Sequence, residues 1–107
     1  MSAKFVVSNM GMAQAPVALG PYCRGKVLDG GQSGVWGYSS GLTGRDPITS
    51  KLVSDCPGEQ TTQVFENIRV LAEENGFTQD GHCIKNMLYI TDMAHFPKIN
   101  EAYIKFF

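Results

Sequence analysis

Cysteine is scarce: among 107 residues there are only Cys23, Cys56 and Cys83. They are odd in number, far apart and in no CxxC pair, which fits neither a secreted disulfide framework nor a zinc ribbon. Free thiols in a reducing compartment are the expectation. Net charge is nearly absent as well, since nine Lys and Arg against ten Asp and Glu leave -1. No global positive field draws in phosphate backbones, so nucleic acid is not expected as a partner. No stretch approaches the roughly 20 apolar residues that span a bilayer, and the opening MSAKFVVSNMGMAQAP lacks the continuous apolar run of a signal peptide. A soluble, cytoplasmic protein without membrane association is expected. Only two histidines occur, His82 and His95, with no HxxxH or HxE spacing, and they are read as surface residues rather than metal ligands. GxxxxGK[ST] and GxGxxG are both missing, which removes the usual nucleotide cradles.

What is present has the balance of a globular protein, with 43% hydrophobic and 18% charged residues. The length points to a single domain over residues 1–107. A chain of this size buries only about 60–70% of the surface that it exposes when unfolded, so association with copies of itself is a physical expectation.

Along the chain, Lys4 to Val7 is a short β-branched and aromatic run suited to an edge strand, and Asn9 to Pro16 reads as loop. Gly25 to Asp29, the turn cluster Gly30 to Gly34, and Val35 to Ser40 predict a β-hairpin. Leu42 to Gly58 is loop-like, with Lys51 to Val53 a candidate for local extension. A helix is predicted from near Gly58, with Asp55 and Pro57 supplying start chemistry and Glu59 matching the positive helix end. Val64, Phe65, Ile68, Leu71 and Ala72 form its apolar stripe. Gln63, Glu66, Asn67, Arg69, Glu73 and Glu74 cover the other side, which predicts one face packed on a sheet. Asn75 and Gly76 stop it. Cys83 to Thr91 reads as a further strand with Ile84, Leu88 and Ile90 on one face. Asp92 then precedes a second helix, with Pro97 in its early turn and Phe96, Ile99, Tyr103 and Phe106 along one side. The order β, hairpin, α, β, α implies an α+β layer of helices on one sheet face.

Several candidate motifs lose to simpler readings. GYSSG, Gly37 to Gly41, fits GxSxG, and Asp92 and His95 follow in the chain order of a triad. A nucleophile elbow needs a strand, a sharp turn and a helix, whereas LTGRDP follows here, so a plain strand end is expected. Cys23 has no flanking base and is read as an ordinary thiol.

Four segments, taken together, resemble one family. APVALGPYCRG, YSSGLTGRDPITSKLV, EQTTQVFENIRVLAEENGF and IKNMLYITDMAHFPKINEAYIKFF resemble, in order and spacing, the motifs of the RidA/YjgF imine-deaminase family, also described as the L-PSP endoribonuclease family. The resemblance covers Ala15 to Phe107. It implies an α+β, chorismate-mutase-like fold: a mixed β-sheet with two helices packed on one face, here lacking the last two strands. It also implies a homotrimer with pockets at subunit interfaces and no metal or organic cofactor. The implied reaction is hydrolysis of reactive 2-imino or enamine acids, such as 2-aminoacrylate or 2-iminobutanoate, to 2-keto acids and ammonia.

Carried over by position, Tyr22 of Gly-Pro-Tyr lines the pocket, Ser40 offers a polar contact at the strand end, and Asn100 forms part of the wall. Each also has a local role open to it: Tyr22 locking a Gly-Pro turn, Ser40 capping a strand, Asn100 facing water. In the family a substrate-binding arginine sits in a Pro-Ala-Arg segment after the second helix, followed by two more strands. Arg24, Arg45 and Arg69 do not match it. Leu42 and Arg24 stand where the family tends to have glutamines. A C-terminally incomplete deaminase subunit is therefore the expectation. A non-catalytic trimer that binds or senses small carboxylates is the alternative, and the ribonuclease label has no support in the balanced charge.

Overall fold

The structure is a computed structural model; it describes residues 5–11, 20 and 22–107, apart from the side chains of residues 79 and 80. The alanine-proline start of the first matched segment, Pro21 and Lys4 lie outside the described residues.

Strands β1 (Val6–Asn9), β2 (Gly25–Asp29) and β3 (Val35–Ser39) form an antiparallel sheet in that order. The hairpin lies where the turn cluster predicts it. A 3-10 turn over Gly31–Ser33 closes it, with Gly30 donating to the Gly34 carbonyl at 2.8 Å and the Asp29 carboxylate accepting from the Gly31 N–H at 2.8 Å. The register sets Val7 opposite Leu28 and Leu28 opposite Trp36, so these three side chains share one face.

Helix α1 (Pro57–Glu74) starts with Pro57 at its first position, where the missing N–H is no loss. Its lead-in is braced locally: Cys56 N–H donates to Ser54 Oγ at 2.9 Å and Gln60 Nε2 to the Ser54 carbonyl at 2.8 Å. Asn75 and Gly76 end it, and the Asn75 amide donates to the carbonyls of Leu71 and Gly11. After the single-turn α2 (Gln79–His82) comes a 3-10 turn at Met93–His95, where Asp92 Oδ1 accepts the Ala94 N–H at 2.9 Å. This leads into α3 (Phe96–Phe106).

Three expectations change. The stripe of α1 meets α3 rather than the sheet: Phe65, 1% exposed, has the rings of Tyr103, Phe106 and Phe107 at centroid distances of 5.1, 5.2 and 5.3 Å. Ile99 and Ala102 of α3 complete this core, while Phe96, expected on the same stripe, is 42% exposed. The sheet is joined to α1 near the helix end, through Asn75 on Gly11 and through Phe77 lying against Gly37. Second, Asn67 is buried, although periodicity puts it on the polar side. Third, residues 83–90 form no strand among the described elements, and Ile84 and Tyr89 are 79% and 88% exposed. Alternating apolar residues supply a face, but a strand exists only through a ladder with a neighbour, and no described strand pairs there.

The loop from Gly41 to Cys56 is ordered by its own bonds. Arg45 and Leu52 form an antiparallel bridge, within the reach of the extension expected at Lys51 to Val53. Asp46 accepts the N–H groups of Ile48 and Thr49 at 2.8 and 2.9 Å. Gly44 lies directly on α1: a Cβ there would fall 2.7 Å from the Gln60 carbonyl oxygen, so the contact requires a residue without a side chain.

Among the described residues no helix is long and apolar enough to cross a membrane.

Candidate functional site

Tyr22 and Ser40 come from segments on either side of the hairpin, and one carbonyl links their surroundings. Ser40 directly follows β3, and both its N–H and its Oγ donate to the Arg24 carbonyl, at 2.8 and 2.9 Å. The hydroxyl hydrogen is thereby committed, leaving the oxygen lone pairs as what Ser40 can offer a ligand. Tyr22, two residues before Arg24, folds back so that its ring edge passes close over Gly20, where a Cβ would lie 2.7 Å from Cε1. It is 49% exposed, with its N–H bonded to the Gly20 carbonyl at 2.8 Å.

Asn100 is an exposed residue of α3, and no hydrogen bond joins its side chain to Tyr22 or Ser40 among the described residues. Ser40 is thus tied to the backbone two residues after Tyr22, and among the described residues no hydrogen bond joins the side chains of Tyr22 and Ser40. Asn100 stands on the helix pair.

Of the arginines, Arg69 is held between Glu66 and Glu73 on the surface of α1. The hydrogen bonds from Arg69, foremost, and its positive charge keep the Glu66 carboxyl below the usual glutamate range. Arg45 donates Nη1 to the Ser50 carbonyl at 2.8 Å. Neither is placed to grip a substrate carboxylate.

A cleft of about 270 Å³ lies between the start of α1 and α3, lined among others by Cys56, Thr62, Lys98, Glu101 and Lys105. It contains none of Tyr22, Ser40 and Asn100. Its lysines are offset by acids, with Lys105 Nζ 3.5 Å from the Glu101 carboxylate, so it has no net cation to offer an acid.

The remaining motifs resolve locally. Gly37 to Ser39 belong to β3 and a loop follows, so GYSSG makes no nucleophile elbow, and the Asp92 carboxylate is spent on Ala94. His82 Nδ1 accepts the Thr78 N–H at 2.9 Å. The three cysteines are unpaired, and among the described residues no three His, Cys, Asp or Glu side chains converge as a metal site requires.

Residues 12–107 match the model of the family described as Endoribonuclease L-PSP. The chain belongs to the endoribonuclease L-PSP, or RidA/YjgF, family. It is 35% identical to a RutC family protein of Aquifex aeolicus over 94 residues, which is 88% of this chain and 70% of the relative. It is 32% identical to Reactive Intermediate Deaminase A, chloroplastic, of Arabidopsis thaliana, covering 88% of this chain and 47% of that protein. Among solved structures it superposes on TdcF of E. coli with bound serine at a TM-score of 0.74 and 27% identity, over 92% of this chain and 72% of the other. Family membership confirms the α+β RidA-type fold, and the matched segment contains Tyr22, Ser40 and Asn100.

Sequence reading passed over one further residue of this family member. Asn67 is buried and grips the loop that follows Ser40, yet it flanks the apolar stripe in a position that periodicity assigns to solvent. The available signal was chemical: an asparagine inside a helix competes with the backbone for hydrogen bonds, and it persists where its amide has work elsewhere.

Proposed function

We propose that this chain is the subunit of a cytoplasmic imine deaminase that hydrolyses 2-imino or enamine acids to 2-keto acids and ammonia. The observation that carries the reading is the 32% identity to Reactive Intermediate Deaminase A over 88% of this chain. The bound serine of TdcF adds that a related fold holds a small amino acid. The chemistry needs little. Water adds to the imine carbon, the carbinolamine loses ammonia, and no electrons change hands, so no organic cofactor or metal enters the proposal. What it requires is a grip on the carboxylate, a placed water and a group to move a proton.

In this reading Tyr22 supplies a phenol that can donate or accept, Ser40 an acceptor oxygen, and Asn100 an amide from the second helix of a neighbouring copy. The pocket is shared between the copies of a homotrimer. Nucleic acid has no part in the proposal, given the charge of -1.

The test generates the imine in place with a pyridoxal-phosphate dehydratase and follows keto-acid release with and without the protein. Acceleration over the spontaneous rate is expected, falling at least about tenfold in Tyr22→Phe and in Asn100→Ala, as loss of proton-transfer or orienting groups does. No acceleration by the wild-type chain rejects the reading. Saturable binding of small carboxylates without turnover would then favour the non-catalytic binding or regulatory trimer. That alternative draws on Leu42, which stands where the family tends to have a glutamine.

A further inference from the structure

Asn67 lies in the middle of α1, where asparagine is a weak helix former. It is 2% exposed, yet its polar atoms are all used. Nδ2 donates to the Thr43 carbonyl at 3.2 Å and to the Arg45 carbonyl at 2.9 Å, while Oδ1 accepts from Gln63 Nε2 at 2.8 Å. Both donors of one amide are spent on a single loop more than 20 residues back in the chain.

Between those two carbonyls sits Gly44, pressed on the backbone of Gln60. On its other side, the Gly44 carbonyl accepts the Val53 N–H at 3.0 Å. Thr43 to Arg45 is thus clamped to α1 on one side and to Val53 on the other. Upstream, Ser40 is tied to Arg24 by its two bonds. Only Gly41 and Leu42 separate these anchors, so a displacement of Thr43 reaches Ser40 with two residues of slack.

We propose that Asn67 is a positioning residue for the substrate contact assigned to Ser40 at the end of β3, setting through Thr43 and Arg45 where Ser40 stands. The proposal rests on the reading that Ser40 contacts the substrate. An amide suits the task because it offers two N–H donors to two carbonyls and one acceptor to Gln63. A carboxylate of the same size would set negative charge against two carbonyl oxygens. Burial would favour its protonated form, whose single O–H can satisfy one of them.

The experiment uses the full chain as wild type, Asn67→Ala, Asn67→Asp and Leu71→Val, the last destabilising the same helix by core packing alone. Amide exchange reads the loop through Val53 and reads α1 through its own amides, while steady-state kinetics of keto-acid release read the pocket. In Asn67→Ala, Val53 exchange should rise about tenfold or more relative to the α1 amides, the signature of local rather than global opening. kcat should fall about tenfold with KM changing less than about threefold, the pattern of an interaction realised in the transition state. Asn67→Asp should regain part of both as the pH is lowered towards about 5, while the wild type does not.

Exchange at Val53 and along α1 rising together, or Asn67→Ala matching Leu71→Val in turnover, overturns the proposal. If the wild-type chain shows no turnover, it is the deaminase reading that fails. The exchange arm then decides the clamp alone, with selective release of Val53 supporting it and uniform release refuting it.

Discussion

Replacing Phe65 with alanine tests how the helix pair is held. Phe65 is 1% exposed, and three aromatic rings surround it: Phe106 stacked at 5.2 Å, and Tyr103 and Phe107 edge-on at 5.1 and 5.3 Å. A buried aromatic side chain removes about 150–250 Å² from water. At about 25 cal/mol per Å², that is about 4–6 kcal/mol. Part of this area is already hidden in a compact denatured chain, which lowers the figure by about 10–40%. Alanine recovers some, and the ring contacts add about 0.5–1.5 kcal/mol each. The expected loss for Phe65→Ala is about 3–5 kcal/mol, in line with large-to-small changes in other cores. A domain of this kind has about 5–15 kcal/mol in all, so the variant should be near its folding limit.

Urea unfolding is the assay, followed both by far-UV circular dichroism and by the fluorescence of the single tryptophan. Trp36 is on β3, in the sheet and not in the helix pair, so its signal reports whether the sheet unfolds with the helices. Coincident transitions, displaced together to lower urea, are expected. A loss below about 1 kcal/mol would refute the packing argument, because that is roughly what burial of a single methylene accounts for. A helix signal melting alone, ahead of Trp36, would refute the premise that Asn75 and Phe77 join the two parts into one cooperative unit.

Gly44→Ala places a methyl group 2.7 Å from the Gln60 carbonyl oxygen and 2.8 Å from its Cα, against helix backbone that cannot rotate away. It should cost about 1–3 kcal/mol, and a urea midpoint equal to that of the wild type would disprove the close approach. Asp46 provides a pH prediction. Hydrogen bonds from the backbone N–H of Thr49 and then of Ile48 hold its carboxyl below the usual aspartate value. A lowered native pKa stabilises the fold fully above the unfolded value, and that stabilisation disappears as the pH falls through the native one. Asp46→Asn should therefore flatten the acid limb of the stability curve, measured as urea midpoint against pH; an unchanged acid limb would count against the loop geometry.

The local elements were legible because their causes are local. The Gly30 to Gly34 cluster specifies a reversal between two β-prone runs, and β2 and β3 lie on either side of it. Pro57, Asn75 and Gly76 bracket α1 within a residue of where they point, since caps and breakers act on their immediate backbone. Asp92 starts the turn into α3 by accepting the Ala94 N–H. The failure at Cys83 to Thr91 is of another kind, because its alternation describes a face and pairing needs a second chain segment.

The candidate site divides in the same way. Motif order by itself identified the family and pointed to Tyr22, Ser40 and Asn100, because a family is a pattern of residues along a chain. Composition alone set the near-zero charge that leaves nucleic acid out of the proposed function. That Ser40 is tied to the Arg24 carbonyl, that α1 faces α3, and that Asn67 turns inward to hold Thr43 and Arg45 were decided only in three dimensions. Periodicity can say that a side chain lies on one side of a helix. Which neighbour fills that side, and with what hydrogen-bond donors, depends on segments tens of residues away.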